Sequence, residues 1–314
     1  MEKKLPGGLW PVMVTPFDRQ NNVDIDGLKK LTEFYLATGA NGLFANCLSS
    51  EMFQLTEEER ITVTQTVVNT VKGRCPVVAT GTFSPDVKAN SEFIKRIHDT
   101  GVHAAVINSN QLTGPLESND LFKSKLEKLL SITGTIPLGM YECPVPYKKL
   151  LSPQLMKWMG ETERFLYHKD TSCHLDEINA KIDAISNTPL GLYNANTPTG
   201  LASLKSGAQG ISPIAANFYP ELFSYQLKYI NSPGHGEIIN RLDALLTTMD
   251  TVIHQYYPLS AKLFLKMRGL DIDENTRIPV SSLTYQDHIK FDAIMKVTQA
   301  LAEEYEIAFI KPGH

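Results

Sequence analysis

The chain has 314 residues, 42% hydrophobic and 20% charged, and its 30 lysines and arginines against 34 aspartates and glutamates leave a net charge of −4. This hydrophobic content excludes intrinsic disorder, and 20 glycines with 18 prolines are too few for a low-complexity or collagen-like chain. A near-neutral balance without a basic block argues against nucleic acid or an anionic membrane surface as the main partner. The four cysteines, Cys47, Cys75, Cys143 and Cys173, form no C-x-x-C pair and no disulfide framework. Pro11 interrupts the apolar run from Leu9 to Val14, and no segment approaches the roughly 18 apolar residues of a membrane span. These features predict a cytoplasmic enzyme with reduced thiols.

In chain order, Leu9–Thr15 reads as a strand and Asp26–Ala37 as a helix with Leu28, Leu31, Phe34 and Tyr35 on one side. Gly42–Cys47 is the next strand. Thr56-Glu57-Glu58-Glu59 then forms a capping box, the Thr hydroxyl and Glu carboxylate each satisfying a free backbone N–H, and Gly73 stops the helix after about Val71. The alternation continues with strands at Pro76–Thr80, Ala104–Asn108, Ile136–Tyr141, Phe165–Lys169, Leu190–Tyr193 and Gly210–Pro213. The helices between and after them are Asp86–Thr100, Asp120–Ile132, Pro153–Met159, Leu175–Ile185, a weak one near Leu201–Ser206, and Pro220–Tyr229. Beyond Asn231-Ser232-Pro233-Gly234 only helices follow, at Glu237–Met249, Thr251–Tyr257, Leu259–Met267 and Tyr285–Tyr305.

Eight strand-then-helix units with short connections predict an α/β fold, a parallel (β/α)8 TIM barrel over residues 1–231, with a C-terminal helical extension over 232–314. A doubly wound sheet is disfavoured because no G-x-G-x-x-G follows the first strand. In a barrel of this kind the chemistry sits at the C-terminal ends of the strands. That places Ser49, Ser50 and Glu51, Tyr141 and Glu142, Lys169 and Asp170, and Asn194 with Asn196 in view.

Lys169 is the most informative of these. Strand alternation puts Phe165, Tyr167 and Lys169 on one face, taken as the barrel interior. A lysine in an apolar mouth has its pKa lowered by desolvation, and the neutral amine can attack a ketone. The opposite register, with Lys169 outside and paired to a helix carboxylate, fits the spacing as well. Cys47, Cys143, Cys173, His168 and His174 also fall near strand ends, but their spacing matches no metal signature, so neither a metal nor a cofactor is expected.

Lys169-Asp170-Thr171-Ser172 resembles the Schiff-base motif of the dihydrodipicolinate synthase / N-acetylneuraminate lyase family. Thr15-Pro16-Phe17, Leu55-Thr56-Glu57-Glu58-Glu59-Arg60, Tyr141-Glu142-Cys143-Pro144, Gly207-Ala208-Gln209-Gly210, Ala216-Asn217 with Pro220, Tyr257-Pro258, Lys262, Gly269 and Arg277-x-Pro279 are similar to that family's segments in the same order. The resemblance implies a class I aldolase in which Lys169 forms an imine with a 2-oxo acid such as pyruvate and Tyr141 shuttles protons. It implies substrate contacts at Leu48, Ser49, Ser50, Asn194 and Ile214, with Ser49 and the Ser50 N–H holding the 2-oxo acid carboxylate. It also implies an aldehyde as the second substrate and a homotetramer.

The chain departs from the family at several points. Leu48 stands where a proton-relaying threonine is expected, Pro146 where an arginine holds a second carboxylate, and Ser109-Asn110-Gln111 where the relay tyrosine lies. Tyr167 replaces a small residue two before the lysine, and Asn194 a glycine. Lys148 and Lys149 are nearby cations, but a lysine does not reproduce the arginine fork. These changes favour an aldolase or lyase that releases pyruvate from another sugar-acid or aryl substrate, with Tyr147, Tyr193, Phe218 and Tyr219 expected around the mouth. The alternatives are a family member that binds a 2-oxo acid as a sensor, and a true dihydrodipicolinate synthase.

Overall fold

The structure, a computed structural model, describes residues 4–310, so the outermost ends of the two expected segments, 1–3 and 311–314, lie outside the described residues. The elements alternate as β1 (Gly8–Leu9), α1 (Ile25–Ala37), β2 (Leu43–Asn46), α2 (Glu57–Val71), β3 (Val77–Thr80), α3 (Val87–Asp99), β4 (Ala104–Asn108) and α4 (Asn119–Thr133). They continue as β5 (Leu138–Tyr141), α5 (Pro153–Glu161), β6 (Phe165–Asp170), α6 (Leu175–Ile185), β7 (Gly191–Asn194), α7 (Thr197–Lys205), β8 (Gly210–Ile211) and α8 (Pro220–Tyr229). Three further helices follow: α9 (Gly236–Ile253), α10 (Leu259–Met267) and α11 (Tyr285–Glu304).

The 8-stranded sheet runs β1-β8-β7-β6-β5-β4-β3-β2 with parallel neighbours. A parallel bridge between Val12 and Phe44 closes it. There the Met13 N–H donates to the Phe44 carbonyl at 3.1 Å and the Phe44 N–H to the Pro11 carbonyl at 3.0 Å. The first strand is therefore shorter than the expected Leu9–Thr15. Pro11 has no N–H to give the ladder, and pairing passes from β8 on one side to β2 on the other across it.

Local chemistry explains the helix boundaries. Both halves of the Thr56–Glu59 capping box form, and α2 ends with Lys72 in the left-handed region at φ 51°, one residue before the expected glycine. Helix α7 starts four residues before its expected position because Asn196 caps it, accepting the Thr199 N–H at 3.2 Å. The two helices expected after Gly236 are one: neither glycine nor proline breaks the run, and α9 persists to Ile253.

Apolar side chains divide into two layers. Between strands and helices lies the larger core, which includes Leu28, Phe34, Phe122, Met156 and Phe165. Inside the barrel, Trp10, Phe44, Val106, Tyr167 and Tyr193 fill the floor. Tyr167 and Tyr193 stack at 4.5 Å between ring centroids, and Trp10 lies 5.2 and 4.9 Å from them. Glycine makes the room: a Cβ on Gly42 would lie 2.4 Å from the Trp10 ring.

The C-terminal helices bear directly on the barrel. Arg268, at the end of α10, is buried against Glu221 of α8, and Lys262 of α10 reaches the buried Glu51 carboxylate at 2.7 Å, just past β2. Among the described residues no helix is long and apolar enough to cross a membrane.

Candidate active site

A cavity of about 420 Å³ opens at the C-terminal ends of the strands, and Lys169 and Tyr141 border it. The two are directly paired across β5 and β6. A register shift in that pairing skips Leu166, so Phe165 belongs to the outer core while Tyr167 and Lys169 face inward. The expected common face of Phe165, Tyr167 and Lys169 thus holds only from Tyr167 onward, because the bulge inverts the alternation before it.

The Lys169 side chain is 3% exposed. Its Nζ sits 4.8 Å from the Tyr141 ring centroid and 5.9 Å from that of Phe44. Among the described residues no carboxylate pairs with it. Burial lowers its pKa to about 8, opposed by the nearby Cys47 and Cys143 thiols. Burial pushes the Tyr141 phenol well above its ordinary value, so it holds its proton.

Leu48, Ser49 and Ile214 also border the cavity. Ser50 does not. Its hydroxyl lies 2.7 Å from the Met13 carbonyl and 2.9 Å from that of Ala45 and accepts the Cys47 N–H at 3.1 Å. Its own N–H is bonded to the Cys47 carbonyl at 3.0 Å, so Ser50 builds the turn that presents Ser49. Asn194 also turns away. With Tyr193 inside the barrel its neighbour must face out, and its amide donates to Thr199 Oγ1 at 2.9 Å and Ser203 Oγ at 3.0 Å. Asn196, two residues on, reaches the cavity instead.

The aromatic mouth expected from Tyr147, Tyr193, Phe218 and Tyr219 does not form. Tyr193 belongs to the barrel floor, and Phe218 and Tyr219 pack on Phe264 at 5.3 and 6.4 Å. Tyr147 ties its loop to the Asn110 carbonyl at 2.7 Å. The cavity wall is nonetheless apolar, with Phe53, Pro144, Val145, Pro258 and Ile278 joining Leu48 and Ile214. Lys148 lies on the rim with its Nζ donating to the Thr171 carbonyl at 2.7 Å, while Lys149 is drawn off to the Glu117 carbonyl at 2.6 Å.

Behind the strand ends, on the face away from the cavity, Glu142 and Asp170 are both fully buried. Lys181 of α6 donates to both carboxylates at 2.6 Å. Glu142 also accepts the N–H groups of Leu151 at 2.8 Å and Thr171 at 3.1 Å, anchoring the loops that follow β5 and β6. Of the cysteines and histidines weighed as metal ligands, His168 lies in this cluster, with one ring nitrogen and one oxygen of each carboxylate within 4.8 Å of one another. The Lys181 ammonium already bridges the carboxylates.

Sequence reasoning missed Tyr257. It borders the cavity from the connection between α9 and α10, beside Ser49. The Tyr257-Pro258 pair was visible as a motif, but nothing local indicated that it meets a loop some 200 residues earlier in the chain. The assembled site offers a partly neutral amine and a neutral phenol in an apolar cavity with two hydroxyls on one wall. Such a site suits nucleophilic addition to a carbonyl.

The sequence profile of the dihydrodipicolinate synthetase family matches residues 5–298. The chain is 26% identical over 283 residues to 4-hydroxy-tetrahydrodipicolinate synthase 1 of Halalkalibacterium halodurans, covering 90% of this chain and 93% of that protein. It is 25% identical over 290 residues to the 4-hydroxy-tetrahydrodipicolinate synthase of Bacillus subtilis, covering 91% and 97%. The crystal structure of the Acinetobacter baumannii dihydrodipicolinate synthase complexed with pyruvate superposes with a TM-score of 0.83 at 21% identity, over 94% of this chain and 99% of that one. The fold match is thus nearly end to end.

Proposed function

Because the chain belongs to the dihydrodipicolinate synthetase family, we propose that it is a carbon–carbon lyase that forms a Schiff base between Lys169 and a 2-oxo acid of the pyruvate type. The observation that carries this reading is Lys169 itself, buried, facing Tyr141, and lowered to about 8. At pH 7 about a tenth of such an amine is neutral, against roughly 0.03% at the ordinary lysine value, a gain in nucleophile of about 300-fold.

In the proposed sequence the neutral Lys169 Nζ adds to the keto carbon, giving a carbinolamine. Tyr141 donates its proton as the hydroxyl leaves as water, and the imine forms. The protonated imine withdraws electrons, so the adjacent carbon loses a proton to the tyrosinate and the resulting enamine attacks an aldehyde. The reverse sequence cleaves the same bond. Ser49 holds the 2-oxo acid carboxylate, Leu48 and Ile214 wall the cavity, and neither a metal nor a cofactor is used. Ser50 and Asn194 act indirectly, by shaping the turn and by holding the start of α7.

The apolar wall, with Pro146 in place of a second-carboxylate arginine, supports a less polar aldehyde than the dihydrodipicolinate synthase reaction uses. The relay positions filled by Leu48 and Ser109-Asn110-Gln111 favour one second reading, a protein that forms the imine as a sensor without turning it over. Division at residue 231 into barrel and helical region, assembly as a homotetramer and a cytoplasmic setting belong to the same proposal. Light scattering on the purified protein tests the assembly.

Incubation with pyruvate and borohydride, followed by peptide mass spectrometry, tests the chemistry. A reduced pyruvate adduct on Lys169, absent in Lys169→Ala, is expected. No adduct from any 2-oxo acid overturns the reading, and an adduct without aldol turnover on an aldehyde panel selects the sensor.

A further inference from the structure

We infer that Tyr257, supplied by the helical region and not by the barrel, binds the carboxylate of the 2-oxo acid together with Ser49; this rests on the aldolase reading above. The argument turns on where the protons point. Asn217 Nδ2 lies 2.9 Å from the Val12 carbonyl and 3.0 Å from the Ile214 carbonyl, and both oxygens can only accept. The opposite end of the amide, Oδ1, accepts the Tyr35 hydroxyl. The amide orientation is thereby fixed: Nδ2 shares its two hydrogens among those carbonyls and the Tyr257 hydroxyl oxygen at 3.0 Å, and it cannot accept the phenol proton. The Tyr257 oxygen accepts, and its own proton is left to point elsewhere. Ser49 borders the same cavity beside it.

A chain of hydrogen bonds thus runs from the barrel wall through Asn217 to Tyr257, which borders the cavity together with Ser49. Burial keeps the Tyr257 phenol protonated, so it stays a donor. Two nearby donors are committed elsewhere. The Ser50 N–H and hydroxyl serve the turn, and Lys148 donates to a backbone carbonyl. A carboxylate oxygen entering the cavity can accept from both hydroxyls.

Borohydride trapping as a function of pyruvate concentration tests this, with acetone as a ketone that lacks the carboxylate. Tyr257→Phe keeps the ring and removes the donor. It is expected to raise the half-saturating pyruvate concentration about ten- to hundredfold, the worth of a hydrogen bond to a charged group, and to leave acetone trapping unchanged. Ser49→Ala should show the same selectivity for pyruvate. Unchanged pyruvate dependence in Tyr257→Phe, or equal loss with pyruvate and acetone, overturns the inference while leaving the lysine chemistry intact. So does Lys148→Met if it alone shifts the pyruvate dependence. A wild-type protein that traps no 2-oxo acid overturns the aldolase reading and this inference with it.

Discussion

Replacing Lys181 with methionine isolates the energetics of the buried cluster behind Lys169 and Tyr141. In the folded protein the Lys181 ammonium lies 2.6 Å from a carboxylate oxygen of Glu142 and 2.6 Å from one of Asp170, both carboxylates fully buried. Burial alone would raise the Asp170 carboxyl, but the His168 ring 3.9 Å away and the Lys181 ammonium hydrogen-bonded to it outweigh burial and hold the group below its usual range. For Glu142 burial prevails, and its carboxyl is raised. Methionine fills most of the lysine stem, so the loss is electrostatic: an uncompensated buried charge, worth about 3–5 kcal/mol. Without the ammonium both carboxyls rise above their unfolded values. Between the unfolded and raised pKa the native state then binds more protons than the unfolded state, so the variant gains stability as pH falls. Urea unfolding at about pH 8 and about pH 5 measures this, the deficit against wild type being largest at the higher pH and shrinking at the lower. An equal deficit at both would show that packing, not charge, sets the cost, and no deficit would refute the reasoning outright.

The lowered Lys169 pKa has two consequences. Imine trapping should rise with pH and level off above about 8. Because the unfolded chain binds the proton up to about 10.5 while the folded one releases it near 8, stability should increase across that window; Lys169→Met, which removes the penalty, should be stabilised at neutral pH by up to about 3 kcal/mol in urea unfolding, the gain fading above the window. Gly42→Ala would set a Cβ 2.4 Å from the Trp10 ring and should cost about 1–3 kcal/mol in urea unfolding; an unchanged stability would show that the floor is not tightly packed there. The Arg277 guanidinium, hydrogen-bonded to Glu59 at 2.7 Å, holds that carboxyl at about 2. That contribution should be lost as pH falls from about 4.5 towards 2, and Arg277→Ala should flatten acid unfolding over that range.

Much of the barrel was legible because its signals are local. Ala104–Asn108, Leu175–Ile185, Pro220–Tyr229 and Leu259–Met267 lie where periodicity and capping residues put them. The inward orientation of Lys169 followed from period 2, though the bulge at Leu166 shows how narrowly the rule applied. What was hidden depends on pairs far apart in the chain. Pro11 shortens a strand because of what lies on either side of it, and Ser50 and Asn194 face away because neighbouring carbonyls and hydroxyls claim them. Tyr193, Phe218 and Tyr219 read as mouth residues because strand ends attract attention, whereas packing volume drew all three inside. The contact of Tyr257 with Ser49 exists only once the helical region folds over the barrel.

The aromatic floor gives the molecule a built-in optical probe. The chain has two tryptophans. Trp158 is half-buried on α5 with Lys123 5.0 Å from its ring, whereas Trp10 is fully enclosed against Tyr193 and against Tyr167, which precedes Lys169 by two residues in β6. Replacing Trp158 with phenylalanine leaves a single indole in the barrel floor, excited in part by energy transfer from two stacked phenols. Its emission would report cavity occupancy and imine formation as they happen, without a label or a coupled assay.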